Sequence, residues 1–303
     1  MKSYYPFVSE EAKEKYTEIY HKTEEEYWPA PFSRVYVETP FGPTYVRISG
    51  KKGAPAMVLL PGITAPSLSW SPNVRVWGKY FRIYAVDMIN DYGLSVDKRH
   101  PLTRHDLIVW LDSVVEQLQL KKFILVGMSY GGWLTAEYAL TFREKLLAIV
   151  MIAPGATILP ISRRFLFRVA LTGLFPIWGS HRLFRWLFKD SLNHPPKYGI
   201  SYDWFMERSD LRFRSFRRRF VVPLRVLKEA EWKKITVPSL FMAGENEKLY
   251  PARKALEEMK RKSPQTERVL IPGAGHDLTA LQADLVNEKV LAFLEKHLGS
   301  LEK

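Results

Sequence analysis

Six short apolar runs recur along the chain: Ala56–Leu60, Phe81–Val86, Phe123–Val126, Leu147–Ile152, Ser239–Met242 and Arg268–Ile271. They are short for helices and lack the polar alternation of a strand with one wet face, so they read as strands buried on both sides. Helical patterns lie between several of them. Leu107, Trp110, Leu111, Val114, Val115 and Leu118 share one helical face, and Tyr130–Phe142, Pro251–Met259 and Leu281–Leu298 also read as helices. Strand and helix in alternation predict an α/β fold with a mostly parallel sheet flanked by helices. Ahead of it, residues 9–27 form an amphipathic helix pattern with Ser9 as N-cap. Ser33–Glu38 and Thr44–Ser49 make a hairpin around Pro40-Phe41-Gly42-Pro43.

Residues 155–234 break this rhythm. They read as a helical insertion between two strands, placing 1–154 and 235–303 in one core. The insertion holds 17 basic and 6 acidic residues, so it carries +11 of the chain's net +13. Arg212, Arg214, Arg217, Arg218 and Arg219 interleave with Phe213, Phe216 and Phe220, a mixture that can grip phosphates and stack bases. An amphipathic helix with an arginine-rich solvent face explains the same residues more simply, and is preferred to a nucleic-acid surface. Phe165, Phe167, Trp178, Phe184, Trp186 and Phe188 suggest an apolar inner face. The outer charge then serves solubility, attracts anionic esters or meets an anionic membrane surface.

The chain has no cysteine, which excludes disulfides, thiolate metal sites and a cysteine nucleophile. Its N-terminus leads into a charged helix, not an apolar segment. The longest uncharged stretch, Leu146 to Ser162, is broken by Pro154, Gly155 and Pro160. Neither a secretory signal nor a membrane span is expected, and the predicted location is cytoplasmic.

The strongest chemical signal is Gly127-Met128-Ser129-Tyr130-Gly131, between an apolar strand and a helix. Glycines on both sides of a serine allow a sharp strand-to-helix turn that presents the hydroxyl at the sheet edge. A serine nucleophile needs a base, and in this arrangement the base follows it in the chain. Of His181, His194, His276 and His297, the first two fall in the insertion and the last lies inside the final helix. His276 alone sits on a loop directly after a predicted strand. An orienting carboxylate is expected after the preceding strand, where Glu245 and Glu247 both qualify. Two main-chain N–H groups should receive a developing oxyanion, that of Tyr130 and that of Ile63 in Pro61-Gly62-Ile63-Thr64. Asp87 and Ser95 are expected to order a loop.

With these motifs the chain resembles the α/β-hydrolase fold family from Phe32 to Leu298. It is most similar to small bacterial carboxylesterases of the naproxen-esterase type. The likeness rests on Tyr27-Trp28-Pro29, Thr39-Pro40-Phe41-Gly42, Tyr84-Ala85-Val86-Asp87, Trp110-Leu111, Gly127-Met128-Ser129-Tyr130-Gly131-Gly132 and Gly244-Glu245-Asn246-Glu247. The resemblance implies an α/β-hydrolase fold with an N-terminal hairpin, and 155–234 as a helical cap. It implies a catalytic Ser129, His276 and Glu247, since the second acid of that family's Gly-Glu-x-acid pattern is the catalytic one. Where the family has His-Gly before the oxyanion donor, this chain has Pro61-Gly62. Proline removes one N–H but leaves that of Ile63.

The expected function is hydrolysis of a small-molecule carboxylic ester through an acyl-enzyme, with no metal or organic cofactor. Thioester, lactone or carbon–carbon bond hydrolysis on the same residues is the alternative, followed by a non-catalytic binding role. The oligomeric state is left open by the sequence.

Overall fold

The structure is a computed structural model that describes residues 5–89, 91–190, 202–217 and 221–301. Its strands are β1 (Phe32–Val37), β2 (Thr44–Gly50), β3 (Ala56–Leu60), β4 (Arg82–Val86), β5 (Phe123–Met128), β6 (Leu146–Ile152), β7 (Ser239–Gly244) and β8 (Glu267–Ile271). They form one sheet in the order β1-β2-β4-β3-β5-β6-β7-β8. The β1–β2 and β2–β4 pairs are antiparallel and the other five are parallel, as the hairpin and buried runs predict. The chain moves from β3 to β4 on one side, then returns to place β5 on the other. The carboxyl ends of β3 and β5 therefore flank the switch point, where open α/β sheets leave a crevice.

The helices are α1 (Glu10–Tyr27), α2 (Ser71–Trp77), α3 (Arg104–Gln117), α4 (Tyr130–Phe142), α5 (Arg163–Leu174), α6 (Pro176–Leu187), α7 (Tyr202–Ser215), α8 (Glu229–Trp232), α9 (Ala252–Lys262), α10 (Leu278–Leu281) and α11 (Ala283–Leu298). Side chains of β3 alternate between two cores. Val58 and Leu60 join Trp110, Leu111 and Trp133 of α3 and α4. Met57 and Leu59 join Val74 and Trp77 of α2 and Val286, Val290 and Phe293 of α11. Period-two burial on both faces is what turned these strands into continuous apolar runs. Helix α2 gives no clear sequence signal because it is only seven residues long, with Pro72 in its first turn.

Helix α1 starts on its Ser9 cap, whose hydroxyl accepts the Ala12 N–H at 3.1 Å. It docks through a buried ionic network. Glu24 accepts from Arg47 Nε at 3.0 Å and Tyr45 Oη at 2.6 Å, and its other oxygen accepts from Arg34 at 2.9 Å and contacts His21. Arg47 lies 4.5 Å over the Trp28 ring and donates to Tyr20 Oη at 3.1 Å. Tyr20 donates in turn to Asp87 at 2.8 Å. Burying these charges is costly, so the network sets where α1 sits more than it adds stability. Asp87 also accepts the Ser67 and Leu94 N–H groups at 2.8 Å, and the Ser95 hydroxyl donates to the Asp87 carbonyl at 2.7 Å. Both residues order their loop, as expected.

Between β6 and β7 run α5 to α8. Ser162 ties the entry of this segment to the loop after β7, with its N–H on Leu249 O at 2.6 Å and its hydroxyl on Lys248 O at 3.0 Å. Its exit is held by Leu227 N–H on Thr157 O at 2.9 Å, and by Arg225, which pairs with buried Glu137 at 2.7 Å. Two expectations need correction. The arginine-rich face is not wholly solvated, because Arg212 is buried beside Tyr16 and Asp91. Phe216 packs on Phe7 and Tyr16. The aromatic residues are not all internal either. Phe184 is buried, but Phe167 on α5, a helix with no buried residue, and Trp178 on α6 face outward. Arg218, Arg219, Phe220 and His194 lie outside the described residues. Among the described residues no helix is long and apolar enough to cross a membrane.

Candidate active site

Strand β5 ends in a turn that places Ser129 at φ 53° and ψ −111°, directly before α4. Such a conformation is costly for a serine and persists because its neighbours fix it. The Ser129 N–H donates to Ile152 O at 2.9 Å, and the Ser129 carbonyl accepts from Trp133 and Gly155, both at 3.0 Å. The flanking glycines are required by close approach. A Cβ on Gly131 would sit 2.6 Å from the Pro61 carbonyl oxygen, and one on Gly127 would overlap the Gly131 carbonyl and the Thr135 hydroxyl.

His276 follows β8 and reaches back over the sheet edge. Its Nε2 lies 3.0 Å from Ser129 Oγ and its Nδ1 lies 2.8 Å from Glu247 Oε2. A carboxylate can only accept, so Nδ1 carries the proton and Nε2 presents its lone pair to the serine hydroxyl. Ser129, His276 and Glu247 are all buried. Burial alone would favour the neutral ring, but attraction to Glu247 outweighs it and lifts the His276 pKa above its ordinary 6.5.

The two glutamates left open by spacing separate clearly. Glu247 Oε1 accepts the Lys248 and Leu249 N–H groups at 2.8 and 2.9 Å, which turns its other oxygen inward to the ring. Glu245 faces solvent, where the Gly273 N–H and Arg253 hold its carboxyl below the usual range. The remaining described histidines after Ser129 pair elsewhere, His181 with Asp210 at 2.7 Å and His297 with Glu267 at 2.6 Å.

Across the switch point, the loop after β3 lies over the serine. A Cβ on Gly62 would come within 3.3 Å of Ser129 Cβ, so only a bare α-carbon passes there easily. Gly62 to Ala65 is a turn closed by Ala65 N–H on Gly62 O at 3.2 Å. Thr64, third in the turn, has φ 65°, where glycine is usual and a β-branched residue is strained. Asp91 holds it there by accepting the Thr64 N–H at 2.8 Å, while its second oxygen accepts the Tyr92 N–H at 2.8 Å. Sequence reasoning did not single out Asp91. Its one signal was an acid a few residues beyond a strand end, in the loop that also carries Ser95. A small pocket lies here, lined by Ile63, Met88, Asp91, Tyr130 and Val221. Tyr130 is the first residue of α4, so its N–H has no partner within the helix. Its hydroxyl donates to Val222 O at 3.1 Å, joining the helix to the segment entering from the insertion.

One further carboxyl adjoins the histidine. Asp277 is half-buried, and desolvation raises its pKa to about 7. Asp190, just past α6, comes against the same loop, since a Cβ on Gly275 would lie 2.8 Å from Asp190 Oδ2.

This arrangement can take a proton from Ser129 and hold the resulting imidazolium beside Glu247. Comparison with known proteins agrees with the architecture. The profile of the alpha/beta hydrolase family matches residues 57–289. An uncharacterized carboxylesterase, nap, of Bacillus subtilis (strain 168) is 31% identical over 278 residues, covering 90% of this chain and 90% of that protein. Carboxylesterase YbfK of the same organism is 31% identical over 272 residues, covering 88% and 89%. The crystal structure of the B. subtilis naproxen esterase (carboxylesterase NP) superposes with a TM-score of 0.83 at 28% identity, over 93% of this chain and 98% of that one. The family profile and the full-length relatives agree with the strand order and the serine turn: the chain belongs to the alpha/beta hydrolase family.

Proposed function

We propose that this protein is a carboxylic ester hydrolase that works through an acyl-enzyme on Ser129. The observation that carries this is the hydrogen-bonded line from Ser129 Oγ through His276 to Glu247, at 3.0 and 2.8 Å. Two relatives named as carboxylesterases, each matching about nine-tenths of the chain, support the ester as substrate.

In this mechanism Ser129 Oγ attacks the acyl carbon while Nε2 of His276 takes its proton. Glu247 keeps the other ring nitrogen protonated and stabilises the imidazolium. The oxyanion of the tetrahedral intermediate is received by the N–H groups of Ile63 and Tyr130. The second sits at the positive end of α4. His276 then gives its proton to the leaving alcohol. In the second half it draws a proton from water, which attacks the acyl carbon and frees Ser129. No step calls on a metal or an organic cofactor.

Residues 155–234 act as a cap over this site, in our reading. Support comes from Val221 lining the cavity beside the two amides, and from Asp190 lying against the histidine loop.

The test is a panel of p-nitrophenyl esters of rising acyl length, with matching thioesters and amides and Ser129→Ala as the blank. Ester turnover that vanishes in the variant supports the proposal. Turnover that survives in Ser129→Ala, or preference for another bond class, overturns it.

A further inference from the structure

The hairpin of α5 and α6 is unlike the rest of the molecule. Twelve large hydrophobic residues are exposed among the described residues, and seven of them lie on this hairpin: Leu166, Phe167, Val169, Leu174, Phe175, Ile177 and Trp178. Leu174 is 72% exposed, Phe167 67% and Trp178 53%, so these are not edges of a buried stripe. Of the other five, Ile63 and Val221 line the pocket beside Tyr130, and Val8, Tyr36 and Leu102 lie on separate elements. The hairpin is tight. A Cβ on Gly179 would fall 2.7 Å from the Leu171 carbonyl oxygen, so α6 turns back directly on the end of α5. The apolar residues thus gather on α5, the connection and the first turn of α6.

Charge surrounds this patch. Between residues 163 and 189 the chain has Arg163, Arg164, Arg168, Arg182, Arg185 and Lys189, and no aspartate or glutamate. Arg182 lies 4.8 Å over the Trp178 ring and Arg168 4.7 Å over Trp186. Each guanidinium therefore rests on an aromatic face, keeping its charge beside the apolar surface.

We infer that this hairpin docks the protein on an anionic lipid surface. Phenylalanine, leucine and tryptophan suit the boundary between headgroups and acyl chains, and arginines at the rim meet anionic headgroups. Charge decides between occupants. A second copy of this chain would bring two strongly basic rims together, α5 and α6 themselves carrying no acid. A neutral apolar partner would leave the arginines without counter-charge. An anionic bilayer answers both features at once. Docking of this kind does not depend on the chemistry assigned to Ser129.

The experiment is co-sedimentation of the full chain with phosphatidylcholine vesicles, with and without phosphatidylglycerol. Binding to the doped vesicles is expected, with little on phosphatidylcholine alone. It should weaken as salt shortens the Debye length. The double variant Leu174→Ser/Trp178→Ser should lose at least about tenfold in partitioning. Arg163→Gln and Arg164→Gln should each cost about fivefold. Circular dichroism and turnover of a soluble short-chain ester should stay as in the parent. If the apolar variant does not fold, the arginine variants carry the test alone. Several results would overturn the inference. These are no retention on the doped vesicles, equal retention on both kinds, or retention insensitive to these substitutions. So would a concentration-dependent dimer, formed without lipid and dissolved by Leu174→Ser/Trp178→Ser, which would assign the patch to a second copy.

Discussion

The carboxylate of Asp91 accepts the main-chain N–H of Thr64 at 2.8 Å, and Thr64 stands at φ 65°. The carboxylate fixes the orientation of the peptide between Ile63 and Thr64, and so the position of the Ile63 N–H one residue earlier. Asp91→Ala should release the strained turn and lower kcat by about 10- to 100-fold, a fraction of what loss of an oxyanion donor costs. Adding Thr64→Gly should recover part of the loss, since glycine adopts that φ without penalty. Steady-state kinetics of the single and double variants check this. An unchanged kcat in Asp91→Ala, or no recovery in the double variant, removes Asp91 from this role.

The two glutamates after β7 should differ sharply. Glu247→Gln replaces the anion facing His276 with a group that does not enforce the tautomer, and kcat should fall by about 10⁴-fold with the fold intact. Glu245→Gln removes a solvent-facing pair with Arg253 and should stay within a few-fold, since exposed pairs contribute little. Parallel kcat measurements separate them, and the reverse order would reassign the acid.

How far the sequence could be read follows from the range of each interaction. Buried strands announce themselves in their own residues, and the serine turn is local, so the sheet, the serine turn and the histidine loop were all legible. The choice between Glu245 and Glu247 was not legible from spacing, because both follow β7. It depends on the Lys248 and Leu249 N–H groups turning one carboxylate inward. Asp91 was missed because its partner is 27 residues away, on the loop after the neighbouring strand β3. The outward Phe167 of α5 and Trp178 of α6 were misjudged because amphipathic spacing shows that a helix has an apolar face, and not what covers it.

The pH profile should place the acidic limb of kcat/KM above pH 6.5. The reaction needs neutral His276, and attraction to Glu247 raises the ring's pKa, so activity is lost as pH falls through that raised value. In Glu247→Gln the raising influence is gone while burial remains, and the limb should move below 6.5. Asp277 titrates nearby and adds a smaller raising influence, so Asp277→Asn is the control and should move the limb less than Glu247→Gln does. A limb that follows Asp277 instead would identify the wrong ionisation.

Asp277 should show itself in stability. Burial raises its pKa from 3.8 to about 7, so between those values the folded state holds a proton the unfolded state has released. Stability from this group is therefore greatest in acid and declines as pH rises toward 7. Asp277→Asn removes the decline and should raise Tm at pH 8 by about 2 °C or more relative to its effect at pH 5. Thermal melts at both pH values test the sign.

The central claim is that Ser129 becomes the acylated residue. Incubation with a fluorophosphonate, which traps an activated serine, followed by peptide mass spectrometry tests it directly. One equivalent of label on the peptide containing Ser129 is expected, with ester turnover lost in step and no labelling of Ser129→Ala. Label on another residue, or continued ester hydrolysis by protein fully labelled at Ser129, would contradict the account.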